Sequence, residues 1–185
     1  MTYLDYTDND YYLLIKQLLL VKGKKTELCR GDFLCHAGDN ASKLGILVSG
    51  ALKYSITANY SHERIVSFVF TGDLVGSYSC MRQHSPSLLD IVAIESSVIY
   101  LLPVRQIDET IGIALRTKLS EALCYQLLKS TVDNYCQSPE ERYLALTERF
   151  PDIHNRMTNR TIASYLGITP ESLSRLRKRL LTRQQ

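Results

Sequence analysis

Three textures of hydrophobic patterning follow one another along the chain. Residues 3–22 place Leu4, Tyr11, Leu14, Ile15, Leu18, Leu19 and Val21 at helical spacing, which predicts an amphipathic helix packed on whatever follows. From about Thr26 to Pro103 the apolar positions come instead in short runs rich in β-branched and aromatic residues. These are Leu44 to Val48, Ala51 to Thr57, Ile65 to Phe70, Ile91 to Ile94 and Val98 to Leu102, with glycines between them. Gly-Asp recurs at Gly31-Asp32, Gly38-Asp39 and Gly72-Asp73, as expected of turns that need a positive φ or a local Asp hydrogen bond. Many short strands at close spacing predict an all-β sandwich or barrel-like roll.

After Pro103 the period changes again. Ile111, Leu115, Leu119, Leu123 and Leu127 form one i, i+4 row, widened by Ala114, Ala122, Leu128, Val132 and Tyr135. The pattern predicts a single helix from about Asp108 to Tyr135, roughly 40 Å long. Such a helix can lie against the roll or serve as a dimer seam, and Ile111, Leu115, Leu119, Ala122, Leu123 and Leu127 are its candidate interface residues. Ser138-Pro139-Glu140-Glu141 then restarts a helix, with Ser at the N-cap, Pro at the first helical position and Glu141 closing a capping box. This helix carries Tyr143, Leu144, Leu146 and Phe150 and stops at Pro151. The chain divides into residues 1–107, the long helix 108–136, and a C-terminal unit 137–185.

Within that last unit, RTIASYLGITPESLSRLRKRL reads as two short helices around Gly167. Asn159 to Leu166 has Ile162 and Leu166 inward, with the small Ala163 beside them to admit a second helix closely. Gly167 supplies the positive φ that ends it. Ile168 plugs the turn, Thr169 caps the second helix and Pro170 takes its first position. At about 100° per residue, Leu173, Leu176 and Leu180 fall within an arc of about 60°, and Glu171, Ser174, Arg175 and Lys178 lie opposite. An apolar inner face with hydrogen-bonding groups on the outer one is what a helix seated in the major groove of DNA requires. Arg can bond guanine bidentately and Glu can accept from the cytosine amino group. The joint pattern predicts a helix-turn-helix whose DNA-contacting residues are Thr158, Asn159, Arg160, Thr169, Glu171, Ser172, Ser174, Arg175, Lys178 and Arg179.

Charge sharpens this picture. The 185 residues carry a net charge of +3. From His154 onward, however, seven basic residues stand against one acid, leaving 15 against 18 in the first 153 residues. An anionic partner therefore belongs at the C-terminal end. No apolar run reaches the ~20 residues of a membrane span and no export signal opens the chain, so a cytoplasmic location without membrane association is expected. Five cysteines, Cys29, Cys35, Cys80, Cys124 and Cys136, lack C-x-x-C spacing and nearby histidines. Reduced, mostly buried thiols are expected, with neither a metal site nor a disulfide framework. No serine-histidine-aspartate, paired-carboxylate or phosphate-loop pattern is visible, which excludes the common enzyme classes.

The β-rich region with LGILVSGALK and GDLVG, the long helix, and TIASYLGITPESLSRLRK together resemble the Crp/Fnr family of bacterial transcription regulators over essentially the whole chain. The resemblance implies an α+β protein: a β-roll of the cyclic-nucleotide-binding type, a dimerisation helix, and a helix-turn-helix domain. It implies a homodimer on double-stranded DNA with a two-fold symmetric operator, and RNA polymerase as a further partner. By the same resemblance Glu171 and Arg175 match the family's E-x-x-x-R and are base readers, while Pro170 replaces a residue that contacts DNA in some members. Only five residues follow Leu180, so the family's β-hairpin wing is expected to be lacking.

The resemblance raises cyclic-nucleotide binding, which needs a carboxylate for the ribose and an Arg for the phosphate. Nucleotide-binding relatives carry these in a Gly-Glu stretch followed by Arg and Ser or Thr. Here the corresponding residues are Gly76-Ser77 and Ser87-Leu88-Leu89, so cyclic AMP or GMP is not expected. Gly76, Ser77, Arg82 and His84 are the candidate positions for some other small effector, if there is one. The family's iron-sulfur and haem-ligand patterns are not visible, and no cofactor is expected. A competing reading makes the roll an effector module whose output is a protein contact, with the basic tail as a solvated face.

Overall fold

The computed structural model describes residues 10–58, 62–77, 79–80 and 85–183. A helix, α1 (Asp10–Lys22), leads into eight strands: β1 (Lys24–Leu28), β2 (Phe33–Cys35), β3 (Lys43–Ser49), β4 (Ala51–Ala58), β5 (His62–Phe70), β6 (Leu74–Val75), β7 (Asp90–Ala93) and β8 (Ser97–Pro103). They form two antiparallel sheets of four, in the orders β1-β8-β3-β6 and β2-β7-β4-β5. Five of the strands stand where the apolar runs place them. β1, β2 and β6 were not legible: Lys24–Leu28 is mostly charged, and the other two are too short for a period.

Three buried clusters follow from the two faces of each sheet. Between the sheets, Leu47, Leu52, Val69, Val75, Ile91 and Ile99 fill the roll. Outside the first sheet, Leu44 and Ile46 of β3 meet Tyr12, Ile15 and Leu19 of α1. Leu14 and Val21, expected on the inward stripe of that helix, are exposed instead. Tyr12, Ile15, Leu18 and Leu19 already fill one arc against the sheet.

The helix expected from Asp108 to Tyr135 is broken. α2 (Val104–Ile111) and α3 (Ile113–Cys136) are separated by Gly112 at φ 82° and ψ 150°, a conformation that L side chains rarely adopt. The Gly112 N–H ends α2 on the Asp108 carbonyl at 2.9 Å, and the Arg116 side chain reaches back across the break to Asp108. The i, i+4 row ran through the glycine because periodicity does not sense a single positive φ.

The candidate seam residues divide accordingly. Leu119 is 2% exposed in the cluster under α1, and Ile111, Ala122 and Leu123 pack against that same cluster. Leu115 is half-buried and Leu127 is exposed. The outward stripe of α3 is a different one: Tyr125 (68% exposed), Leu128 (63%), Val132 (51%) and Tyr135 (89%).

The C-terminal unit comprises α4 (Pro139–Arg149), α5 (Ile153–Arg156), α6 (Asn159–Leu166) and α7 (Pro170–Arg183). It packs on the outer face of the second sheet, where Ala51, Ile65, Phe70 and Ile94 share one buried cluster with Tyr143, Leu146, Ile162 and Leu173. β5 is one of the two edge strands of that sheet. Ser164 of α6 sits on the edge: its Oγ accepts from the Ile65 N–H at 3.3 Å and donates to the Glu63 carbonyl at 3.0 Å. Phe150 stacks on Phe70 with centroids 3.5 Å apart, and Arg149 faces Asp73 at 3.6 Å. Burial pushes the Asp73 carboxyl above its ordinary range, against the Phe70 N–H and Arg149.

All five cysteines are free; Cys35 and Cys80 are buried, whereas Cys29, Cys124 and Cys136 are exposed, so the expectation of mostly buried thiols fails. Two of the exposed ones, Cys124 and Cys136, lie on α3. Among the described residues, no helix is long and apolar enough to cross a membrane.

Candidate nucleic-acid interface

The second helix of the pair is presented by the first. Arg142 of α4 donates to the carbonyls of Tyr165 at 2.6 Å and Leu166 at 3.5 Å, satisfying the open C-terminal end of α6. Thr158 caps α6, its hydroxyl accepting from the Thr161 N–H at 3.2 Å. Gly167 ends it at φ 72° and ψ 26°, and the Ile168 N–H closes the turn on the Ala163 carbonyl at 3.0 Å. Thr169 caps α7 through the Ser172 N–H at 3.2 Å. Gly167, Ile168 and Thr169 stand where the residue types place them, whereas the Thr158 cap and the Arg142 contact were not foreseen. The short α5 was missed, since four residues carry no period.

The inner face of α7 is fixed by Leu173, which is fully buried, and by Leu176. The opposite face is open: Glu171, Ser174, Arg175, Lys178 and Arg179 are all exposed. Arg175 donates to the Ser172 hydroxyl at 3.4 Å, which holds its guanidinium along the helix. The Glu171 carboxyl lies below the usual range because its own backbone N–H and the Thr169 hydroxyl donate to it, with Arg175 adding charge. At neutral pH it is therefore a pure acceptor beside a fixed donor. Beneath the helix, Tyr143 Oη lies 2.7 Å from His154 Nε2, and burial followed by the Arg177 charge lowers the His154 imidazole.

Thr158, Asn159 and Arg160 lie together at the exposed start of α6. Asn159 Oδ1 accepts from Arg177 at 3.2 Å, which ties the two helices at the rim of the surface. Arg179 forms an ion pair with Glu140 in the first turn of α4. Neither partner was foreseen, because nothing local in the sequence marks contacts 18 and 39 residues apart. Arg156, part of the basic excess, is turned to the roll: it bonds Glu95 at 2.5 Å and the Gly50 carbonyl at 3.1 Å, with its guanidinium over the Phe70 ring.

The effector positions divide. Arg82 and His84 lie outside the described residues. Gly76 is spanned by Tyr54, whose hydroxyl donates to the Gly76 carbonyl at 3.0 Å and accepts from its N–H at 3.1 Å. Burial pushes that phenol up to about 12. Ser77 is buried and lies 3.1 Å from the Ser79 hydroxyl. Ser87 donates to the Leu89 carbonyl at 2.8 Å. Facing this segment, Asp39 accepts from the His36 N–H and Asp90 from the Ala37 N–H.

Comparison with known proteins agrees with this architecture. Residues 25–112 match the cyclic nucleotide-binding domain family. The chain is 29% identical to the fumarate and nitrate reduction regulatory protein of Escherichia coli, over 92% of this chain and 73% of that one. It is 28% identical to the anaerobic regulatory protein of Pasteurella multocida, over 90% of this chain and 66% of that one. Among solved structures, FixK2 from Bradyrhizobium japonicum superimposes with a TM-score of 0.74 at 21% identity, covering 89% of this chain and 87% of its own.

Proposed function

Since the chain belongs to the Crp/Fnr family of DNA-binding transcription regulators, we propose that it works as a cytoplasmic homodimer whose two α7 helices enter successive major grooves of a two-fold symmetric operator. Arg175 and Glu171 read base edges. Ser174, Ser172 and Lys178 border them, and Thr158, Asn159, Arg160 and Thr169 contact phosphates from the start of α6 and from the turn. The observation that carries this reading is the fixed, exposed Glu171–Arg175 face, held outward by the fully buried Leu173.

The second copy is recruited by the distal half of α3. Tyr125, Leu128, Val132 and Tyr135 recur at steps of three and four residues, the spacing of a coiled-coil seam, and are exposed in the single chain. The nine candidate contacts of each subunit need a rigid spacing between the two reading helices, which such a seam supplies. Cyclic nucleotide is not the signal. Tyr54 already occupies both backbone groups of Gly76, and Ser77 stands where a carboxylate for the ribose would be needed.

Immunoprecipitation of bound genomic fragments supplies an operator, on which Arg175→Ala is then measured. The substitution should cost about 1–3 kcal/mol and relax preference at one base pair. Unchanged affinity and unchanged preference would remove Arg175 from the reading surface.

A further inference from the structure

The two flanks of the reading helix are held differently. At about 100° per residue, Arg177 and Arg179 project to opposite sides of α7, where the two phosphate strands bordering a major groove run. Arg177 donates to the side-chain oxygen of Asn159, a neutral partner that leaves its positive charge uncompensated. Arg179 instead pairs with the carboxylate of Glu140, which is the less exposed of the two. Glu140 stands in the first turn of α4, where the helix dipole favours an anion. The capping box of that helix uses Ser138 and Glu141, so Glu140 is not needed to close it.

We infer that Glu140 holds Arg179 away from the DNA and thereby sets the number of phosphates that the reading helix neutralises. This rests on the seating of α7 described above. A phosphate approaching that flank must displace a carboxylate already in place and meets its charge, so the bound state of the native protein gains nothing from Arg179. Phosphate contacts carry no sequence information, so the effect is the same on any duplex. Each phosphate neutralised steepens the dependence of log affinity on log salt by about 0.9.

The test is a salt titration of binding to the operator duplex and to a scrambled duplex of equal length, with thermal melts of every variant. Glu140→Gln should steepen the salt slope by about 0.9 and raise affinity about three- to tenfold at low salt, equally on both duplexes. Arg179→Ala combined with Glu140→Gln should abolish the gain. Glu140→Ala should repeat the Glu140→Gln result should the latter melt early. An unchanged slope in both Glu140 variants would overturn the proposal, as would a gain that survives in the double variant. Failure of the unaltered protein to bind either duplex at low salt would sink the seating of α7 itself, and the role of Glu140 with it.

Discussion

Arg156 Nη2 lies 2.5 Å from Glu95 Oε1 and 3.1 Å from the carbonyl oxygen of Gly50, and this one side chain spans from the helical unit to two turns of the roll. Its guanidinium also covers the Phe70 ring. The planar fork serves two acceptors at once, which an ammonium group cannot reproduce. Arg156→Ala should lower stability by about 1–2 kcal/mol, since the pair is partly exposed. Arg156→Lys should recover less than half of that loss. Urea denaturation followed by far-ultraviolet circular dichroism measures both.

Gly167 ends α6 at φ 72° with nothing within 4 Å of where a side chain would begin, so space is not the constraint and conformation is. Gly167→Ala should cost about 1–2 kcal/mol. Gly167→Asn should cost less, because asparagine tolerates the left-handed region. The order of melting temperatures, native above Asn above Ala, checks this.

The capping box at Ser138 gives a pH dependence with a definite sign. The Ser138 N–H and hydroxyl hold the Glu141 carboxyl below its ordinary range. Its folded pKa lies under its unfolded one, so the contribution is present above the ordinary carboxylate range and is lost as pH falls through the folded value. Glu141→Ala should therefore melt below the native protein at neutral pH and together with it in strong acid. Paired thermal melts across that range decide the point.

On α3, the leucines at positions 119 and 128 should behave oppositely. Leu119 is buried under α1, and Leu119→Ala should destabilise the single chain by about 2–5 kcal/mol. Leu128 is exposed, and Leu128→Glu combined with Val132→Glu should leave the chain folded but monomeric. Sedimentation equilibrium and thermal melts on the same samples separate the two effects.

The helix-turn-helix was legible almost residue by residue because its boundaries are local: Thr169 as a cap, Pro170 at a helix start, Gly167 at a positive φ. The roll was legible where strands are apolar and four or more residues long, and not at Lys24–Leu28, which pairs through its backbone with Ser97 to Leu101 and shows little of that in its side chains. The covered stripe of the long helix was not legible for a different reason. Two apolar stripes run along one helix, and only the position of α1 tells which of them the chain covers itself. Likewise the roles of Arg156 and Arg179 depend on Glu95 and Glu140, residues distant in sequence, whereas net charge counts every arginine alike.

The seat of Ser164 on β5 has a consequence for any shortened form of the protein. The strand His62–Phe70 lies at one edge of its sheet, and its sequence HERIVSFVF is rich in the β-branched and aromatic residues that favour strand addition. The helical unit is its cover, with Ser164 bonded to two of its backbone groups and Phe150 and Tyr165 over its aromatic rings. A roll cut after α3 would present that strand naked as a template for a second chain. The domain that reads DNA is, in this sense, also the part that keeps its own sensor-like half from self-assembling edge to edge.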